Sequence, residues 1–343
     1  MTASFDFCVI GNGPLGAAAA LYIAEKGASV CLVGASPKDR VCSHNDHSRI
    51  YRTQHADSYW TTLAKSNLKL MLDLQKSTDI CFFRPTPVYY DGASTETGIT
   101  TPPLSYLTLN RLTHQDTCGG IIDPLLYIDA LNKAARRLGA DIRKAIVMSV
   151  QPSNFGYELR ISSGDVIKSQ AVVDFRGLHA APIGEGATIA RTIILAQHPP
   201  LHEPHCFIRT ELSDSKISEF FACSHIATDS ATQLSKFVFA DADSVFLYDS
   251  PTLQAWFERG YRTHPKISWA LEEIQSMGFV IDIDKIQLAP CAFTRTPDGR
   301  PRAEKRRNYL SFYGCNGSAA KCAQSLAETI ISQHFMSGES MPE

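Results

Sequence analysis

The sequence predicts a chain of α/β plus α+β class: a Rossmann-type dinucleotide domain assembled from both chain ends, carrying a mostly antiparallel-β domain between them. Three observations predict it. A strand, a glycine turn, a helix and a second strand fill the segment from Phe5 to Val33; β-branched and aromatic runs dominate from Ile189 to Tyr248; and a strand and a helix, Tyr309–Tyr313 and Ser318–Phe335, close the chain.

Each element has a local cause. Phe5–Ile10 (FDFCVI) is an apolar run of strand length that ends at Gly11, and LGAAAALYIAE from Leu15 to Glu25 is rich in helix formers until Gly27 stops it. Ser29–Val33 is a second buried strand, so the unit is βαβ with a right-handed crossover. Asp57–Gln75 places apolar residues at helical spacing, whereas Pro85 and Pro87 keep Cys81–Tyr90 extended and irregular. A helix is expected over Pro124–Leu138, with Asp123 as its N-cap, Pro124 at its first position and Gly139 as its stop. Three β-like runs follow, Asp141–Val150, Tyr157–Ser162 and Val166–Val173, and Lys266–Met277 reads as helix. From these elements the dinucleotide domain takes residues 1–80, 140–188 and 285–335, and the second domain takes 81–139 and 189–284.

Composition excludes several function classes. Basic residues number 33 and acidic residues 35, a net charge of −2, so no clustered basic excess points to nucleic acid or an anionic membrane. The one basic run, Arg300–Arg307 (RPRAEKRR), reads as a solvated turn. No apolar run reaches the roughly 18 residues of a membrane span, and the N-terminus carries no leader signature. Ten cysteines without a CxxC pair suit reduced thiols and a cytoplasmic setting. His202, His205 and Cys206 (HEPHC) lack the further ligands a metal site needs and read as a loop.

The chemistry starts at GNGPLG. Gly11 makes the tight turn, Gly13 lets backbone approach a pyrophosphate, and Gly16 lets helix pack on strand; Pro14 and Leu15 complete the loop. The helix N-terminus then offers unpaired N–H groups to the phosphates. One part of the usual fingerprint is missing. The end of the second strand, where an acidic residue normally takes the ribose hydroxyls, reads Val33-Gly34-Ala35-Ser36, which leaves only Ser36 for part of that role.

Further along, SHNDHSRIYR from Ser43 to Arg52 resembles the signature after the second strand of monomeric sarcosine oxidase and its relatives, including the N-methyltryptophan and pipecolate oxidase group, within the D-amino acid oxidase-like flavoproteins. The similarity continues from Tyr59 through Leu63 to Leu74. It returns at Gly120–Gly139 (GIIDPLLYIDALNKAARRLG), at Pro290–Thr296 (PCAFTRT) and at Gly314–Ala323 (GCNGSAAKCA), covering about half the chain in the same order. The resemblance implies FAD, with Gly11, Gly13 and Gly16 on its pyrophosphate and Ser43, Gly314 and Gly317 among the residues around it. It puts His44 and Arg49 near the flavin ring, makes Arg52 and Lys321 a clamp for the substrate carboxylate, and makes Cys291 a thioether tether to the flavin. It assigns Lys236 to the lysine beside the flavin that promotes reaction with dioxygen.

Elementary chemistry agrees with these roles. Arginine binds a carboxylate through two parallel charge-assisted bonds, and a second cation adds strength. A lysine at the start of a helix opposes the helix dipole, so Lys321 asks for an anionic partner nearby. A tether at Cys291 would relieve the loss of the acidic residue at Gly34. The expected reaction is oxidation of the C–N bond of a small secondary or cyclic amine bearing a carboxylate, with dioxygen as acceptor and hydrogen peroxide as product, by a monomer or weak homo-oligomer. Departures from the pattern are Asn45-Asp46-His47, where sarcosine oxidases carry His-Gly-Asp, and Asp174-Phe175-Arg176-Gly177, where relatives have a small-residue turn; they turn the expectation toward a larger or cyclic imino acid, as in a biosynthetic pathway. The rival readings are an accessory or dehydrogenase-type flavoprotein and a flavin monooxygenase, the latter lacking its Gly-Asp motif in the C-terminal half.

Overall fold

The computed structural model describes residues 3–35, 42–55, 57–91, 112–180, 187–198, 204–210, 217–225, 233–241, 245–247 and 250–336. Ser36, the expected ribose partner, lies outside them.

The glycine turn nucleates the first layer. Strand Ala3–Ile10 runs parallel to Val30–Gly34 on one side and to Val166–Asp174 on the other. Strand Asp141–Lys144 extends the sheet beyond Val30–Gly34, and Tyr309–Tyr313 extends it beyond Val166–Asp174. The C-terminal strand thus joins the N-terminal sheet in parallel.

Four helices cover one face. Helix Pro14–Glu25 contacts both Pro124–Arg137 and Ala319–Ile331, and Ser58–Thr78 packs beside those two. Their alanine-rich faces share one core with Val9, Leu32 and Val173 of the sheet. The hairpin of Val147–Ser153 and Gly156–Ile161 covers the other face, burying Cys8, Cys31 and Val172. Asp123 caps its helix as expected, accepting from the N–H groups of Leu125 and Leu126 at 2.9 and 3.0 Å.

The second layer is a mostly antiparallel sheet ordered Val245–Leu247, Ala187–His198, Gln233–Asp241, Ile217–Ser224 and Cys206–Arg209, then Val88–Asp91, which runs parallel to Cys206–Arg209, and Leu112–Asp116; Gln287–Arg295 pairs with Ala187–His198. Alternation along its strands divides it cleanly. Ile194, Phe207, Phe220, Phe237 and Phe239 face helix Ile267–Ser276 in an aromatic core. Arg191, Lys236, Cys223, Cys206 and Cys291 face the opposite way, toward the first layer: the pairings Arg191 with Cys291, Cys223 with Lys236, and Cys206 with Cys223 put them on one surface.

Three sequence expectations change. Helix Pro124–Arg137, grouped by sequence with the second domain, packs on the glycine-loop helix, because its apolar stripe fits that helix and not the sheet. Strand Gln287–Arg295, grouped with the dinucleotide domain, hydrogen-bonds into the antiparallel sheet. The basic run is no turn: Arg302–Arg306 forms an edge strand against Tyr309–Tyr313, with Arg302 and Arg306 in solvent, as edge strands favour, and Glu304 and Lys305 half-buried on Tyr313 and the His334 carbonyl. Helix Ser250–Glu258 was not read from sequence at all. No helix among the described residues is long and apolar enough to cross a membrane.

A buried triad holds the aromatic helix to its sheet, with Arg209 bonded to Asp91 and to Glu273, each at 2.7 Å. Replacing Arg209 by alanine strands two buried carboxylates and should cost about 3–5 kcal/mol, read as a lower denaturant midpoint.

Candidate functional site

Between the layers lies a cavity of about 400 Å³. Gly11, Gly13, Pro14 and Leu15 form its floor, with Val33, Gly34 and Ala35 from the second strand. Ser43, His44 and Arg49 close one side; Phe293, Gly314 and Gly317 close the other. Nine of the sequence-predicted residues therefore line one space: Gly11, Gly13, Pro14, Leu15, Ser43, His44, Arg49, Gly314 and Gly317. Gly16 sits behind the floor, where a methyl group would collide with the Gly11 carbonyl. That close approach is the helix-packing role assigned to the third glycine.

The floor is suited to an anion. Gly11 holds φ at +107°, and a side chain there would meet the Phe175 carbonyl oxygen at 2.5 Å. The helix that follows begins with Pro14 and has no side-chain cap, so the N–H groups of its first turn have neither an intrahelical nor a side-chain partner. A side chain at Gly34 would strike Asn12, so the acidic residue absent from the second strand has no room in this loop. Asn12 lines the cavity there, and its Oδ1 accepts from Asn132 Nδ2 at 3.2 Å.

Charge gathers at the inner edge. Asp46 is buried and bonded to both Arg49 and Lys236, the latter at 2.8 Å; Lys236 also donates to the Ser48 carbonyl at 3.0 Å. Burial alone would raise the Asp46 carboxyl, but Arg49 and Lys236 overcome it and hold it below the ordinary carboxylate range. Burial and the nearby Arg49 push Lys236 down. Arg49 spends one guanidinium nitrogen on Asp46 and the Ser48 carbonyl, while its other, Nη2, is buried with no partner. A buried donor left open is costly and marks a place for an acceptor.

Arg52 and Lys321, although 269 positions apart, lie within electrostatic reach of each other and of Arg49. Burial, and then the Arg52 guanidinium, push the Lys321 ammonium down to about 7. Burial, Lys321 and Arg52 likewise push the neighbouring His55 down to about 3. Arg52 lies against the Tyr90 hydroxyl. Lys321, the third residue of the last helix, has no hydrogen-bonding or ion-paired partner for its ammonium among the described residues.

Cys291 is buried at 9% exposure, just outside the cavity wall formed by Ala292, Phe293 and Thr294, with its Sγ 3.9 Å from the Ser43 carbonyl oxygen. The structure adds residues that the sequence did not single out. Asp46 was noted only as a departure from a pattern, and one of its two cations, Lys236, comes from a distant segment. Arg191, whose guanidinium lies 4.7 Å over the Phe293 ring, had no local signal; only its register opposite Cys291 reveals it. Phe175, Arg176 and Gly177, noted as departures, line the cavity. Among the described residues no cluster of three or more His, Cys, Asp or Glu is arranged to hold a metal ion.

No protein-family model and no curated sequence matches the chain. Solved structures do. NikD, described as an unusual amino acid oxidase essential for nikkomycin biosynthesis, superposes in its open form with a TM-score of 0.71 at 15% identity, covering 99% of this chain and 96% of its own. The L-proline dehydrogenase of P. horikoshii gives 0.69 at 16% identity, over 100% and 96% of the two chains. Iminodiacetate oxidase of Chelativorans sp. BNC1 gives 0.68 at 13%, over 98% and 97%. The chain has the fold of these amino acid oxidases and dehydrogenases.

A carboxylate placed beside Lys321 is predicted to bind in a pH-dependent way. A protonated Lys321 attracts a carboxylate and a neutral one does not, so affinity is full below pH 7 and falls as pH rises through it. Calorimetric titration with 2-furoate, which has no amine to titrate, should show this fall, and Lys321→Met should abolish it.

Proposed function

We propose that the chain binds FAD along the cavity and oxidises the C–N bond of a small secondary or cyclic amine that carries a carboxylate. What supports the reading most directly is the cavity floored by a glycine loop and lined by Arg49, with Arg52 and Lys321, from opposite ends of the chain, within electrostatic reach of each other. The residues fit the cofactor: an uncapped helix start for the diphosphate, glycines where a Cβ would fill the cradle, and an orphaned guanidinium nitrogen of Arg49 for an acceptor on the ring. When bound, FAD supplies the two-electron chemistry, accepting a hydride from the amine α-carbon and passing the electrons to dioxygen to give hydrogen peroxide.

The protein's own residues do the rest. Arg52 and Lys321 bind the substrate carboxylate and so fix which carbon faces the reactive part of the cavity. The surrounding positive charge favours the uncharged amine, whose lone pair drives imine formation without a separate base. Arg49 and Lys236, held by Asp46, set a positive field where negative charge accumulates during turnover. Cys291 is near enough to the wall to be the covalent tether, anchored against the Ser43 carbonyl.

Anaerobic addition of imino acids such as L-proline, L-pipecolate, sarcosine and iminodiacetate to FAD-loaded protein should bleach the visible flavin bands with at least one of them. An unchanged spectrum across the panel would remove the reading. Arg52→Ala and Lys321→Ala should each raise KM by a factor corresponding to about 1.5–3 kcal/mol, measured by steady-state kinetics with the substrate found above. Acid-precipitated protein should stay yellow and Cys291→Ser should release its colour; free flavin from the parent protein would exclude the tether.

A further inference from the structure

We propose that His47 and His225 form a proton route from solvent to the Asp46–Lys236 pair, supplying the proton consumed when dioxygen is reduced. This rests on the oxidase reading given above, and it gives a use to the loop Asn45-Asp46-His47 that the carboxylate clamp leaves idle.

The route has an outer and an inner member. His47 is outer: its side chain is 53% exposed, and its Nδ1 lies 2.9 Å from Asp123 Oδ2. Asp123 is fully buried and pinned by its helix cap, so it fixes the His47 ring in place. His225 is inner: it is 5% exposed, its ring centroid is 6.1 Å from that of His47, and its Nε2 is buried with no hydrogen-bond partner. Buried imidazoles kept only for packing satisfy their nitrogens; this one leaves a nitrogen open.

Sheet register carries the route to the cavity edge. Cys223 pairs with Lys236, and the His225 N–H donates to the Leu234 carbonyl at 2.9 Å. His225 and Lys236 are therefore diagonal neighbours on one face, within reach of long side chains. The charged and titratable groups facing His225 are Asp46, Lys236, His47 and Asp123. Burial keeps His225 neutral at neutral pH, with its pKa down at about 4, so it takes up and passes on a proton without storing one.

The demand for a proton follows from balance. Amine oxidation removes a hydride equivalent from carbon, and dioxygen becomes hydrogen peroxide by taking that hydride equivalent and one proton: O2 + H⁻ + H⁺ → H2O2. The proton must cross a buried, positively charged site. Lys236 gives up its proton at the cavity edge, and the route through His225 and His47 restores it from solvent.

The test separates this route from the amine chemistry. FAD-loaded protein, reduced by light in the absence of substrate, is mixed with oxygenated buffer in a stopped-flow instrument at pH 7. His225→Gln and the exposed His47→Gln should each slow reoxidation at least tenfold and enlarge its solvent deuterium isotope effect, while anaerobic reduction by substrate changes less than twofold. Added imidazole should restore His47→Gln. Reoxidation of both variants within twofold of the parent overturns the proposal, as does a parent that bleaches with substrate and then fails to reoxidise in air. A parent that takes up no FAD removes this proposal together with the reading it rests on.

Discussion

The site depends on one buried carboxylate. Asp46, on the segment after the second strand, bonds Arg49 beside it and Lys236 of the antiparallel sheet, 190 positions away. Neither cation would be stable in that interior alone, since an unpaired buried charge costs several kcal/mol. Shared between them, Asp46 fastens the segment after the second strand to the antiparallel sheet. It also neutralises only one of two charges. The remaining positive charge, with Arg52 and Lys321 alongside, is what the proposed carboxylate binding relies on.

The cavity's other end obeys a backbone constraint. Gly11 and Gly16 approach carbonyl groups so closely that no side chain fits, and the uncapped helix between Pro14 and Glu25 turns its free N–H groups to the same space. A diphosphate at this end and a carboxylate at the other would be held by unlike means, dipoles and backbone donors against full cations.

Much of this was legible in the sequence, for physical reasons that differ by residue. The glycine loop, the Asp123 cap and the last strand and helix are local: their meaning is set by neighbours within a few positions. Arg52 and Lys321 could be paired only through a resemblance, because nothing local joins residues that far apart; in the fold each lies within electrostatic reach of the other. What stayed hidden was cross-strand. Arg191 lies opposite Cys291, and His225 lies diagonal to Lys236, only because of a register that no single strand encodes. The run Arg300–Arg307 misled by its charge, since an edge strand exposed to water tolerates the same residues as a turn. Gly34, read as a loss, is a steric requirement of Asn12 beneath it.

Placing an anion between Arg52 and Lys321 is the claim on which the functional account turns. A crystal structure of the FAD-loaded protein soaked with 2-furoate tests it most directly. The account predicts the carboxylate within hydrogen-bond distance of both side chains, with the furan ring over the cofactor. A carboxylate bound elsewhere, or the two cations turned away from each other toward solvent, would contradict it.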